Sequence, residues 1–244
     1  MRLTVRAGKD APTYAVYAAV AERLEGVEVS VPLTLSFEGR VSLGFSQKGE
    51  AGALCLDFMK GPLAHRLRHG GATETVVKAV RGRHDLRKDG PLYVFDATAG
   101  LGRESMLLSL AGFSVTSFER HPVVWSLLRD ALNRAAAEGE TRLPELRPCG
   151  TFLEQGGERP QVIYYDPMFP EREKSAQVKK DMQYFHALIG PDEDVAEYLE
   201  AALNLARTKV VVKRPVSAPP LTPAGTGPSY SLSGGACRFD CYVL

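Results

Sequence analysis

Three short stretches carry residue types that do chemistry. The first is Asp96-Ala97-Thr98-Ala99-Gly100-Leu101-Gly102-Arg103-Glu104, which follows an apolar run and opens a helical one. Glycines at a strand-to-helix turn let the backbone approach a ligand at the carboxyl end of the first strand. The spacing Gly100-x-Gly102-x-x-Ser105 lacks the third glycine of the dinucleotide fingerprint. The charged pair Arg103-Glu104 at its mouth favours a ligand over a bare turn. The second is Glu119, which closes SVTSFE 17 residues after Gly102. A carboxylate there accepts hydrogen bonds from ribose hydroxyls, of a dinucleotide or an adenosyl group alike. The third is Asp166-Pro167-Met168-Phe169-Pro170, after the apolar run QVIYY. An amine conjugated to a ring is a poor nucleophile because its lone pair is delocalised into the ring; a carboxylate and a nearby backbone carbonyl that accept its N–H bonds localise the lone pair on nitrogen. Phe169 is placed to stack on such a ring.

These stretches need strand ends to hold them. From residue 91 the pattern is strand, helix, strand: LYVFD, ESMLLSLA, SVTSFE, then VVWSLLRDALNRAAAE with Pro122 in its first turn, the weak strand ELRPC, the strong strand QVIYYD, the helix VAEYLEAALNLAR and the strand KVVVKRP. Such alternation implies an α/β fold with a largely parallel sheet covered by helices on both faces. Ser217–Gly235, rich in Pro, Ser and Gly, reads as a loop before the last strand CRFDCYVL. Upstream, residues 1–58 read as a small α+β domain. It has a strand at Arg2–Arg6, a helix from Ala11 to Leu24 stopped by Gly26, and strands VEVSVP, LTLSFEG, RVSLGFS and ALCLDF. Alternating Leu33, Leu35, Phe37 and Val41, Leu43, Phe45 form an antiparallel hairpin with one wet face. Residues 59–90 form a basic helical connector, and residues 91–244 the main domain.

The chain has 244 residues, 44% hydrophobic and 24% charged, and a net charge of +1. That composition excludes collagen-like, coiled-coil and disordered chains. A polyanionic partner must therefore be sought in local patches. One lies at 59–88, where eight Lys and Arg face only Glu74 and Asp85, a net charge of +6. Asp192, Glu193, Asp194, Glu197 and Glu200 offset it elsewhere. The longest apolar run of the first helix, Ala15 to Ala21, is far below the ~20 residues that span a bilayer. The N-terminus lacks an apolar signal core, so a cytoplasmic protein is expected. Cys55, Cys149, Cys237 and Cys241 include no CxxC pair, and HRLRH at 65–69 lacks the acidic residue of HExxH. No metal and no membrane contact are expected.

The Asp-Pro-x-Phe string resembles a variant of the Asp/Asn/Ser-Pro-Pro-Tyr/Phe motif of amino-group methyltransferases. The chain resembles the bacterial small-subunit ribosomal RNA guanine-N2 methyltransferase J family. The likeness rests on DATAGLGRE (96–104), ERHPVV (119–124), DPMFP (166–170), KSAQVKKDM (174–182), VVVKRP (210–215), APPL (218–221) and RFDCY (238–242), with DFMKGPLAHR (57–66) before them. It covers residues 55–244. It implies a Rossmann-like class I methyltransferase with a seven-stranded, mostly parallel sheet. It also implies S-adenosylmethionine as cofactor, and N2 of a guanine in small-subunit rRNA, or in the small ribosomal subunit, as acceptor. Carried residue by residue, cofactor contacts fall on Arg103, Glu104, Glu119, Arg120, Gly150, Thr151 and Asp166; the glycine turn adds Asp96 and Gly100 to the expected cofactor site, and the Asp-Pro-x-Phe string makes Asp166, Pro167 and Phe169 the expected acceptor contacts. Phosphate contacts fall on Arg66, Arg68, Lys174, Lys179, Lys180, Lys213 and Arg214. The last two are expected together on the ligand-binding rim at the end of the fifth strand. From the residues alone, three alternatives stay open: transfer to adenine N6 or a protein amide, a nicotinamide-dependent oxidoreductase, and a non-catalytic rRNA-binding assembly factor.

Overall fold

The computed structural model describes residues 1–46, 52–155, 157–168, 184, 188, 189, 192 and 194–244. Its N-terminal part contains β1 (Thr4–Ala7), α1 (Ala11–Ala18), α2 (Ala21–Leu24), β2 (Leu33–Glu38) and β3 (Arg40–Phe45). Period-2 patterning does its work in the hairpin: β2 and β3 pair antiparallel, and Leu33, Leu35, Phe37, Val41 and Leu43 are all sealed from solvent. β1 adds to β2 in parallel. Three expectations fail here. The single helix Ala11–Leu24 is two helices, because Val20 leaves helical geometry at φ −133° to bury its side chain. VEVSVP forms no ladder and only bridges at Glu28 to Arg2. ALCLDF buries Leu54, Leu56 and Phe58 alternately, yet its backbone pairs only at Leu54 with Leu43. Side chains serve this stretch and the turn after it: Arg134 donates to the Leu56 carbonyl, and the Asp57 carboxylate accepts from the amides of Met59 and Lys60.

The basic stretch folds as α3 (Gly61–Gly70) and α4 (Thr75–Arg81). After it come β4 (Tyr93–Asp96), α5 (Arg103–Leu110), β5 (Ser114–Ser117), α6 (Pro122–Ala137), β6 (Glu145–Leu146), α7 (Phe152–Gln155), β7 (Val162–Tyr165), α8 (Val195–Leu205), β8 (Lys209–Pro215), β9 (Tyr230–Ser233) and β10 (Cys237–Val243). The seven strands β4–β10 form one sheet in the order β6-β5-β4-β7-β8-β10-β9. The first five in that order run parallel, and β10 is antiparallel to both β8 and β9. β4 and β7 are buried along nearly their whole length. Helices cover both faces, and so the strands read as continuous apolar runs rather than alternating ones. The residue pattern accounts for six of these strands. The seventh, β9, sits inside the Pro/Ser/Gly-rich stretch. It is an exposed edge strand with no apolar alternation to reveal it.

The chain leaves β4 toward β5 and β6, then returns through β7 to the other side of β4. Ligands of open α/β sheets bind outside the carboxyl ends of the strands at such a reversal. α6 carries the N-terminal sheet: it packs against α1, α2 and β3, and one apolar core includes Val16, Leu43, Leu128 and Leu132.

The two glycines of the first turn have different jobs. Gly100 (φ +54°) borders open space, with only the Thr98 carbonyl 3.9 Å from where a Cβ would stand. Gly102 (φ +68°) precedes α5 with no such room: a Cβ would come within 2.4 Å of Leu128 Cδ1 and 3.3 Å of Phe58 Cζ. Left-handed backbone costs an ordinary residue ~1–2 kcal/mol and overpacking a core ~1–3 kcal/mol. Gly102→Ala is therefore expected to lower stability by about 2–5 kcal/mol in urea unfolding, without a direct effect on any ligand. An unchanged midpoint would show that Leu128 gives way freely.

Candidate active site

The carboxyl ends of β4, β5, β7 and β8, with the turn after β6, surround a cavity of about 710 Å³. Asp96 closes β4 and is 1% exposed. It accepts from the Thr98 amide at 3.2 Å and from Ser105 Oγ at 2.5 Å, while Ser105 Oγ accepts from Ser117 Oγ at 2.9 Å. Burial pushes its pKa up to about 7. Thr98 Oγ1 accepts from the Asp166 amide at 2.7 Å, tying the first turn to the end of β7. Asp96 thus braces the turn from behind.

Glu119 follows β5 and lines the cavity at 8% exposure. Its two oxygens accept from the amides of Gly100 (2.9 Å) and His121 (2.7 Å), which aim the carboxylate. Burial pushes its pKa up to about 7. Gly150 and Thr151 line the same end of the cavity, with the Gly150 amide bonded to the Glu119 carbonyl at 2.9 Å. His121 borders it too. Burial first, then Arg120, pull its pKa down to about 4, so the ring is neutral near pH 7.

Arg120 borders the cavity, but its guanidinium faces protein groups. It pairs with Asp192 and, at 2.6 Å, with Asp194 Oδ2, and lies 5.6 Å from the centre of the Tyr198 ring. At the opposite wall five charges alternate. Arg66 holds Glu74 through two hydrogen bonds of 3.1 and 3.2 Å and stands 3.9 Å from Glu104; Lys213 Nζ stands 3.7 Å from Glu104 and 2.7 Å from Asp166 Oδ2. Burial raises the pKa of Asp166 to about 6 against the opposing pull of Lys213. Burial pulls the Lys213 ammonium down, but Asp166 and Glu104 outweigh it and hold it above its ordinary value.

Of the residues singled out from the sequence, Asp96, Gly100, Arg103, Glu104, Glu119, Arg120, Gly150, Thr151, Asp166, Arg66 and Lys213 all border this cavity. Pro167 is buried behind it. Lys213 and Arg214 do not share a rim, because successive side chains of a strand point to opposite faces. Arg214 is buried and donates to the Pro219 carbonyl at 2.6 Å. Arg68 is exposed and donates to the Met59 carbonyl at 2.7 Å. Phe169, Lys174, Lys179 and Lys180 lie outside the described residues. Thr98, His121, Tyr164 and Asp192 were not foreseen as cavity groups. His121 had a signal in its place beside Glu119-Arg120; the others had none.

Residues 24–244 match the family model described as "Putative SAM-dependent methyltransferase". The chain is 40% identical over 98% of its length to the ribosomal RNA small subunit methyltransferase J of Stutzerimonas stutzeri, covering 95% of that protein. It is 41% identical over 100% of its length to that of Edwardsiella ictaluri, covering 98% of it. The chain belongs to the ribosomal RNA small subunit methyltransferase J family. A crystal structure of a SAM-dependent methyltransferase from Neisseria gonorrhoeae, 30% identical, superimposes with a TM-score of 0.67 over 100% of this chain and 96% of that one.

Methyltransferases of this family depend on S-adenosylmethionine, and the cavity fits that group. Its described wall holds seven carboxylates and four cationic side chains. Such an acidic excess suits a sulfonium-bearing net cation and disfavours the pyrophosphate of a nicotinamide dinucleotide. Two buried polar atoms on the wall, His121 Nδ1 and Tyr164 Oη, have no hydrogen-bond partner among the described residues, as groups that await a polar ligand do. Among the described residues no cluster of three or more His, Cys, Asp or Glu is placed to hold a metal ion, and no helix is long and apolar enough to cross a membrane.

Proposed function

We propose that this methyltransferase acts on the exocyclic N2 amine of a guanine in small-subunit ribosomal RNA. The observation that carries the reading is the Asp166 carboxylate, half-buried at the end of β7 and facing the same cavity as Glu119. The relatives, ribosomal RNA small subunit methyltransferases J, support rRNA as the acceptor. An rRNA substrate also implies the cytoplasm as the place of action.

In this reading Glu119 holds the ribose hydroxyls, Gly150-Thr151 the adenine edge, and Arg103-Glu104 the charged tail of the cofactor. When bound, S-adenosylmethionine supplies an electrophilic methyl group on sulfur. Asp166 accepts an N–H bond of the guanine amine, which frees its lone pair for in-line attack; Phe169 stacks on the base, and Pro167, buried, shapes the backbone between them. The methyl would pass from the sulfonium sulfur to the amine nitrogen as the S–C bond breaks, leaving a proton on that nitrogen to be removed. Asp166, with its pKa raised to about 6, is suited to receive it. Positioning and electrostatics carry the rate. The acidic wall leaves no place for phosphates inside the cavity, so a single unstacked base enters and the RNA backbone stays outside. Phosphate contact is assigned to Arg68, Lys174, Lys179 and Lys180, and Arg66 and Lys213 to the cavity wall. Residues 1–58 and the connector 59–90 then act as the RNA-facing part of the chain, and 91–244 as the transfer domain.

The test is transfer of labelled methyl from S-adenosylmethionine to isolated small subunits and to naked rRNA, followed by nucleoside analysis. N2-methylguanosine is expected; N6-methyladenosine, or label in protein, would overturn the acceptor. The cofactor role of Glu119 has its own test. Hydrogen bonds to charged groups are worth ~1.5–3 kcal/mol, so Glu119→Ala should weaken S-adenosylmethionine binding by roughly 10- to 150-fold in calorimetry. Unchanged affinity in a folded variant would remove Glu119 from the cofactor site.

A further inference from the structure

Asp192 and Arg120 join the two halves of the cavity in a way their sequence positions do not suggest. Met168, two residues past Asp166, is held by Asp192 twice: its amide donates to Asp192 Oδ2 at 2.7 Å, and its carbonyl accepts from the Asp192 amide at 3.0 Å. The other carboxylate oxygen, Oδ1, takes Arg120 Nη2. Arg120 directly follows Glu119, and its Nη1 takes Asp194, the residue that precedes α8. One carboxylate therefore links the backbone beside the amine-accepting Asp166 to the residue beside the ribose-facing Glu119. The Asp192 side chain is 11% exposed and that of Arg120 42%, so the carboxylate end of the link is shielded from water while the guanidinium end is partly open to it.

We propose that Asp192 is a positioning residue: bridged to Arg120, it sets the acceptor loop at Met168, and through it Asp166, against the cofactor end of the cavity. The proposal rests on the reading of Asp166 as the group that accepts the amine. Methyl transfer needs donor carbon and acceptor nitrogen within ~3–3.5 Å and in line, and a misplacement of ~1 Å costs ~100-fold in rate. The loop leaves β7 with its backbone held at two described points, the Asp166 amide on Thr98 Oγ1 and Met168 on Asp192. Thr98 fixes the root of the loop. Asp192 fixes where it goes next. Arg120, expected from the family likeness to touch the cofactor, serves on this view as the anchor of the bridge, since Asp192, Asp194 and the Tyr198 ring occupy its guanidinium.

The experiment compares wild type, Asp192→Asn and Arg120→Lys with the double variant, in single turnover at saturating cofactor and RNA. Cofactor affinity comes from calorimetry and folding from thermal unfolding. Asparagine keeps an acceptor for the Met168 amide but loses the ion pair; lysine keeps the charge but cannot bridge two carboxylates in a fork. Each single variant is expected to lose 30- to 100-fold in transfer rate, with cofactor affinity within threefold of wild type. The double variant should be no slower than the worse single, as for two halves of one device. A full transfer rate in either folded single variant overturns the proposal. So does a loss confined to cofactor affinity, or one that multiplies in the double variant. Should Asp192→Asn fail to fold, Arg120→Lys decides alone. The rates are read on whichever amine the wild type methylates. A different acceptor would then revise the substrate while still testing the bridge.

Discussion

Asp166→Ala should bind S-adenosylmethionine within about tenfold of wild type, a margin of ~1.4 kcal/mol, and lose methyl transfer by on the order of 10²–10³-fold. The first half follows from where the residue's bonds go. Its amide, which the substitution keeps, makes the tie to Thr98 Oγ1 at 2.7 Å, and Glu119 holds the other end of the cavity. The second half follows from the amine: without an acceptor its lone pair stays in the ring. Removing one preorganised electrostatic partner of a transition state typically costs that much. Asp166→Asn keeps an acceptor oxygen but not the charge, and should fall between. Single-turnover transfer and calorimetry on the same preparations separate the two effects. Near-normal transfer by Asp166→Ala would remove the residue from the chemistry, and a collapse of cofactor affinity alone would reassign it to binding.

Lys213→Met should move the acid limb of the pH–rate profile upward. Transfer requires ionised Asp166, so activity is present above its pKa and lost as pH falls through it. In the wild type that limb is expected near pH 6, the value to which burial raises the carboxyl against the pull of Lys213. Among the described residues, the charged groups that face Asp166 are Lys213 from β8, Glu104 from α5, Asp192 from before α8 and, behind it, Asp96 at the end of β4; Tyr164 and Cys237 are the neutral titratable neighbours. Lys213 is the cation among them. A cation this close lowers a carboxyl by about 1–3 units, and removing it should place the limb at about pH 7–9. The variant should then be slow at pH 7 and recover much of its rate near pH 9. Lys213→Arg, which keeps a charge, should keep the limb near its original place. An unmoved limb in Lys213→Met would mean that Lys213 serves something other than Asp166. The same contacts explain why Lys213 is a poor candidate for phosphate: its ammonium lies between two carboxylates, while its sequence neighbour Arg214 turns to the other face of the strand.

The sequence by itself determined the strand–helix alternation, the carboxyl-end placement of Asp96, Glu119 and Asp166, and the antiparallel hairpin at 33–45. These are local properties. Continuous apolar runs such as VIYY mark strands covered on both faces, alternation marks a strand covered on one, and a polar residue that closes such a run stands at the carboxyl end of its strand. Only the tertiary structure decided which charges meet. Arg120 meets Asp192 and Asp194 across 72 and 74 residues of chain, and Lys213 meets Asp166 across 47, separations over which no period carries a signal. β9 escaped notice because an exposed edge strand has no face to bury and hence no pattern. ALCLDF had the pattern without the ladder, since alternation reports which side chains are buried and not what the backbone bonds to. Gly102 belongs with these: its sequence context suggests a ligand, but the space it leaves empty is filled by Leu128 and Phe58. A missing Cβ is written in the sequence, while what needs its room is set by how distant helices and loops pack.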